Sequence, residues 1–278
     1  MSGTPGGGTP RWLAVYAALV FAFLYLPIAV LVLYSFNGQG VGGFPPRHLT
    51  FGWYRVLFRD DAIWSSVGNS LVVALSSVGI ALAMGVPAAL ALDRANFPGK
   101  AGFRRLVLLP LVLPGIITGL SLLMLFREAS VKLSLTTVIL GHATAFLAVA
   151  TTEVFAGLQK SDRAQEEASL DLGANDWQTL WRVTLPNLRL SITGAALLIF
   201  TLSMDEIAVS FFLIGRENTL PLEIWGRLRR GITPEINAIS ALIFLFSLAS
   251  IVLWYRLRNR AHTGLSAGEI IPAAGRES

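Results

Sequence analysis

Six long apolar stretches, at about 12–34, 67–92, 106–126, 135–158, 191–214 and 236–255, dominate this 278-residue chain and hold only three charged residues, Glu153, Asp205 and Glu206. A helix on the edge of a soluble core shows a polar face every turn, and these stretches do not. Each is long enough to cross about 30 Å of hydrocarbon as a helix. Composition agrees, with 54% of residues apolar and 14% charged, where a soluble domain carries about a quarter charged. The pattern predicts an all-α polytopic membrane protein with six transmembrane helices.

Several chemistries fall away. The chain has no cysteine, which excludes disulfides, iron–sulfur clusters and thiol catalysis, and its three scattered histidines argue against a zinc cluster. No metal site and no catalytic residue is expected. The first apolar stretch is too long for a signal-peptide core and lacks a small-residue cleavage site, so it reads as an anchor. Net charge is +5, but basic residues flank membrane spans as a matter of course, so no nucleic-acid partner is inferred. With both termini cytoplasmic, 13 of the 22 Lys and Arg fall inside, a bias that favours this threading. Residues 1–11 and 261–278 read as disordered cytoplasmic ends around a six-span domain, 12–260.

The outer loops are small. Trp53, Tyr54, Leu57 and Phe58 mark a short amphipathic stretch, and Pro221 to Leu228 a second helix stopped by Gly231. Thr233-Pro234-Glu235 reads as a cap, a first-turn proline and an acid opening the last span. Pro27, Pro87, Pro110 and Pro114 predict kinks, and Gly115 with Gly119 forms a GxxxG read as packing.

The longest inner segment, 159–190, differs in kind. It reads as two short amphipathic helices: Ser161 or Asp162 caps the first, Gly173 ends it, Asn175 or Asp176 caps the second, and Pro186 stops it. Ala168, Leu170, Leu172 and Leu180 form an apolar edge that needs a partner.

Glu167-Ala168-Ser169, three residues, Gly173, nine residues and Val183-Thr184-Leu185-Pro186 resemble the EAA loop of ABC-importer permeases. Ser169 for Ala and Val183 for Ile are the departures. Trp53-Tyr54, Asn69-Ser70-Leu71, Leu109 to Gly115, Gly141-His142, Thr201 to Glu206, Leu220-Pro221-Leu222 and Thr233 to Ala238 extend the likeness to spermidine/putrescine-type permeases, specifically their second membrane subunit. The resemblance implies the MetI-like fold of type I ABC importer permeases in a bacterial inner membrane. It implies that Glu166, Glu167, Ala168, Leu170, Leu172, Gly173, Val183, Leu185 and Pro186 couple to a cytoplasmic ATPase dimer. It further implies a second permease subunit in a heterodimer, an external substrate-binding protein, and ATP with Mg bound on the ATPase rather than here. A polyamine is the implied cargo; related permeases carry opines, aminophosphonates, iron or oxyanions. The chain itself lacks a P-loop, so ATP must be handled elsewhere.

Asp205 and Glu206, inside the fifth stretch, either line the pathway for a cation or hold a helix break. Glu153, near the cytoplasmic end of its span, reads as structural, and His142 as a packing residue. Trp225 and Arg227 either touch the binding protein or lie at the lipid interface with their neighbours. A different class of protein, an ion-coupled carrier using Asp205, would need no ATPase. An intramembrane enzyme finds no support, since no HExxH or GxSxG is present.

Overall fold

The computed structural model describes residues 11–39, 45–46, 48–231 and 233–249. Apart from Arg11, which opens the first helix, the expected disordered ends lie outside the described residues. In chain order the helices are α1 (Arg11–Tyr34), α2 (Gly52–Phe58), α3 (Asp61–Arg94), α4 (Lys100–Val112), α5 (Gly115–Glu128), α6 (Leu135–Lys160), α7 (Ala164–Asp171) and α8 (Asp176–Thr179). After a π turn at Leu180–Thr184 come α9 (Leu185–Asn187), α10 (Arg189–Met204), α11 (Ala208–Leu213), α12 (Leu220–Arg230) and α13 (Pro234–Ala249). The all-helical expectation holds among the described residues.

Among the described residues three helices, α1, α3 and α6, are long and apolar enough to cross a membrane unbroken, and counting each bent pair as one span gives at most five. Residues 250–255 of the expected sixth span lie outside the described residues. The expected third span, 106–126, is not one straight crossing, because α4 and α5 meet at 111°. Leu113 is extended, at φ −77° and ψ 131°, as the residue before a proline is driven to be. The limbs have 13 and 14 residues, so each reaches only about 20 Å. The expected fifth span, 191–214, is also interrupted, between Met204 and Ala208.

The chain divides into two compact units, one of 61–226 and one of the residues before and after it. In the first, α3, α6 and the α10–α11 pair form a core in three layers along their length. Val73, Val138, Val209 and Leu213 make one layer, Ala81, Phe146, Ala150 and Ile199 the next, and Ala89, Val154, Leu158 and Leu188 the last. Lipid is as apolar as these side chains, so close packing rather than the hydrophobic effect holds such helices together. Small residues make that packing possible. A Cβ on Gly85 would stand 2.5 Å from the Ala150 Cβ, which only glycine avoids. On α5, a Cβ at Gly119 would lie 3.1 Å from Val209 Cα, and one at Gly141 on α6 would collide with Leu213. The Gly115/Gly119 pair is therefore the packing seat it was read as, and its occupant is α11.

Polar bonds pin the end of α11 and the start of α12. Thr137 Oγ1 donates to the Leu213 carbonyl at 2.8 Å, the Leu220 N–H donates to Ser70 Oγ at 2.8 Å, and Asn69 Nδ2 donates to the Asn218 carbonyl at 2.9 Å. In the second unit, Tyr54 hydrogen-bonds Ser35 at 2.6 Å and Trp53 Nε1 donates to the Asn37 carbonyl at 2.9 Å. Gly231, at φ +134°, stops α12 as expected. Pro234 opens α13, but the buried Thr233 hydroxyl finds no hydrogen-bond partner among the described residues, so the expected side-chain cap is not seen there.

Candidate functional site

The interruption of the fifth span divides the roles of its two carboxylates. Met204 ends α10, and Asp205 and Glu206 lie in the unwound residues before α11. Glu206 Oε1 accepts the Val209 N–H at 2.9 Å, satisfying a donor that the restarting helix would leave bare. The same oxygen lies 3.5 Å from where a Cβ on Gly115 would be, so the break abuts the bend between α4 and α5. Asp205 is exposed, and its carboxylate has no partner among the described residues. On a continuous helix adjacent side chains would diverge by about 100°, but the helix is not continuous here. Divergence comes instead from Glu206 turning back to cap α11. An unwound segment at membrane depth is tolerated only within protein or beside a water-filled cavity.

His142, on α6, is buried at 1% exposure. Its Nδ1 lies 2.7 Å from Ser203 Oγ on α10, and its Nε2 lies 2.8 Å from Ser210 Oγ on α11. It is thus a satisfied interior residue, as read, and its two partners flank the break. Glu153 is exposed near the end of α6.

At the other end of the core, local signals shape the loop. Asp162 Oδ1 accepts the Ala164 N–H at 3.0 Å, and Glu166 and Glu167 occupy the first turn of α7, where acids suit the helix dipole. Gly173, at φ +88°, ends the helix. The Ala174 N–H reaches Ser169 O at 3.1 Å and the Gly173 N–H reaches Leu170 O at 2.9 Å, which is the Schellman pattern. Asn175 and Gln178 then form a reciprocal capping box at 2.8 and 3.1 Å.

Pro186 does not stop the second helix. Helical backbone continues through Asn187 and turns by 65° into α10. The Leu185 N–H bonds to Leu180 O, five residues back. That widened π turn just before the proline takes up the crowding its ring imposes on the preceding turn.

The loop is bolted to the core by residues whose role the sequence did not suggest. Arg94, at the end of α3, pairs with Glu166 Oε1, which also accepts the Thr184 hydroxyl at 2.8 Å. Asp93, with a side chain only 4% exposed, holds Arg163 at 2.8 Å and Gln159 at 2.5 Å. Glu166 therefore faces inward, whereas Glu167, Ala168, Gly173 and Pro186 are exposed and Val183 and Leu185 are half-buried. Leu170 is exposed too, and Leu172 is 90% so. Trp177 and Trp181, at 66% and 56%, pack edge to face with centroids 5.6 Å apart. A groove of about 350 Å³ runs past Gln165, Ala168, Leu172 and Val183. Of the apolar edge expected to need a partner, Ala168, Leu170 and Leu172 lie in the open and Leu180 is half-buried.

On α12, Trp225 is exposed, while the Arg227 guanidinium binds Asp60 at 2.7 Å and is largely covered. Arg229 and Arg230 remain exposed.

Residues 78–262 match the family described as "Binding-protein-dependent transport system inner membrane component". The chain is 37% identical over 257 residues to the putrescine transport system permease protein PotI of Escherichia coli K12, covering 88% of this chain and 90% of that protein. It is 33% identical over 236 residues to the spermidine/putrescine transport system permease protein PotC of Haemophilus influenzae, covering 84% and 91%. Among solved structures it resembles a chain of a bacterial ABC transporter that imports the acidic polysaccharide alginate, with a TM-score of 0.67 at 19% identity over 92% of this chain and 99% of that one. The last likeness bears on the fold alone.

Proposed function

Because this chain belongs to the family of binding-protein-dependent transport system inner membrane components, it is a permease subunit of an ABC importer, and we propose that its cargo is a polyamine. The observation that carries the cargo reading is Asp205, an exposed carboxylate without a partner among the described residues, at a break in a span whose one other charge, Glu206, is taken up in capping α11. A carboxylate at membrane depth costs about 3 kcal/mol unless water, a partner or a cation meets it. The names of the relatives, putrescine and spermidine permeases, support the same class of cargo.

In this reading ATP and Mg bind a separate ATPase pair, and this chain holds no cofactor and no catalytic residue. The open face of α7 and its following turn, with Glu167, Ala168, Leu170, Leu172 and Gly173, seats on that ATPase. Val183, Leu185 and Pro186 set the angle at which the loop rejoins the core, and Glu166 anchors it. Domain 12–260 sits in the bacterial cytoplasmic membrane with both termini and the 159–190 loop inside. It works beside a second permease subunit, and an external binding protein delivers the cargo near Trp225. Because Arg227 is engaged with Asp60, Arg229 and Arg230 are the better basic candidates for that outer contact.

The test is uptake of labelled putrescine into proteoliposomes holding the full transporter with its binding protein. ATP-dependent accumulation is expected, and Asp205→Asn should cut it about tenfold, as loss of a charge-assisted contact does, with the ATPase still attached. Uptake that survives ATP depletion would favour an ion-coupled carrier. Wild-type uptake in Asp205→Asn would remove that residue from the pathway.

A further inference from the structure

His142 is the only histidine among the residues that the structure places around the break, and it contacts both sides of it. Ser203 lies two residues before Asp205 on α10, and Ser210 lies four residues after Glu206 on α11. Seven residues along an unbroken helix would separate their Cα atoms by about 10 Å. Here one imidazole reaches both hydroxyls, at 2.7 and 2.8 Å. A neutral imidazole offers one donor and one acceptor, and a serine hydroxyl can be either, so a single tautomer satisfies both bonds. With the ring at 1% exposure, no water stands ready to replace a lost partner, and an orphaned polar group there is costly. The ring has a fixed seat. Phe146, one turn along α6, packs edge-on against it at 5.8 Å, and the neighbouring Gly141 lets α11 approach.

We propose that His142 is a positioning residue, a strap that fixes α10 and α11 at the spacing that presents the Asp205 carboxylate to the passing cation. The proposal rests on the reading of Asp205 given above. A ring that only filled space would serve equally well without the two serine hydroxyls, so the hydroxyls discriminate.

The chain has no cysteine of its own, so once any cysteines of the partner subunits are replaced, spin labels can be attached at Leu202→Cys on α10 and Phe211→Cys on α11, both exposed positions. The distance between them is measured by pulsed electron resonance in the full transporter in lipid nanodiscs. Replacing both serines, Ser203→Ala with Ser210→Ala, keeps the ring and almost all the volume. The expected result is a broadened distance distribution and a roughly tenfold higher KM for putrescine uptake. Ser203→Thr with Ser210→Thr, which keeps both hydroxyls, should restore a narrow distribution. Should the alanine pair fail to assemble with the ATPase, each single alanine variant is read in the same way, with a smaller broadening expected. A narrow distribution and wild-type KM in the alanine variants would overturn the strap. Broadening together with wild-type uptake in Asp205→Asn would support the strap and overturn the Asp205 reading instead.

Discussion

The break at 205–207 and the loop at 164–187 are both departures from straight helix, and they are built in opposite ways. The loop is shaped from within: Asp162, Gly173 and the Asn175–Gln178 box set each turn using neighbours a few residues away. It shows its apolar residues, Leu172, Trp177 and Trp181, to the outside. The break is shaped from without. Beside the local Glu206–Val209 cap, its geometry depends on His142 from α6 and on the bare backbone of Gly115, Gly119 and Gly141 on two neighbouring helices. A segment that turns its apolar residues outward keeps its form by local bonds, whereas a segment inside the bundle takes its form largely from the helices around it.

If that contrast is right, damage to the break should spread and damage to the loop should stay local. The largest effect is expected from Gly141→Leu, whose side chain would collide with Leu213 and Val209. Overpacking of this kind costs about 1–3 kcal/mol or more, and the yield of assembled complex should collapse. Gly173→Val comes next. A β-branched residue at φ +88° costs about 1–2 kcal/mol, so ATPase co-purification should fall while the thermal melting of the membrane core stays as in wild type. Asn175→Ala should cost about 1 kcal/mol of local stability, read as faster amide exchange confined to residues 174–179. Arg94→Gln should do least, because its side chain is 34% exposed and such pairs contribute about 0.5–1 kcal/mol. Its expected sign is uptake that no longer keeps pace with ATP hydrolysis, and an unchanged ratio of the two would show that the Arg94–Glu166 bolt is idle.

The same contrast explains what the sequence made legible. The caps of the loop could be read because a helix stop needs only its own residues, and Gly231 ended α12 for the same reason. Pro186 misled because its disruption is absorbed by a π turn that ends two residues earlier, at Thr184, which no single residue announces. Asp205 and Glu206 flagged the break, yet the apolar run around them hid the unwinding. Nothing local to His142 names Ser203 and Ser210, which lie 61 and 68 residues away. Nothing in the sequence ties Asp93 and Arg94, at the end of a span, to the loop they hold, and Thr184 fills a place that the EAA-loop resemblance leaves open. The prolines announced kinks but not the 111° bend between α4 and α5.

The most direct test of the whole account is to measure labelled putrescine uptake and ATPase retention on one reconstituted transporter carrying either Asp205→Asn or Gly173→Val. The account predicts a split: Asp205→Asn loses uptake and keeps its ATPase, and Gly173→Val loses both because the docking contact itself is weakened. Loss of the ATPase in Asp205→Asn, or its full retention in Gly173→Val, would contradict the division of labour between the break and the loop.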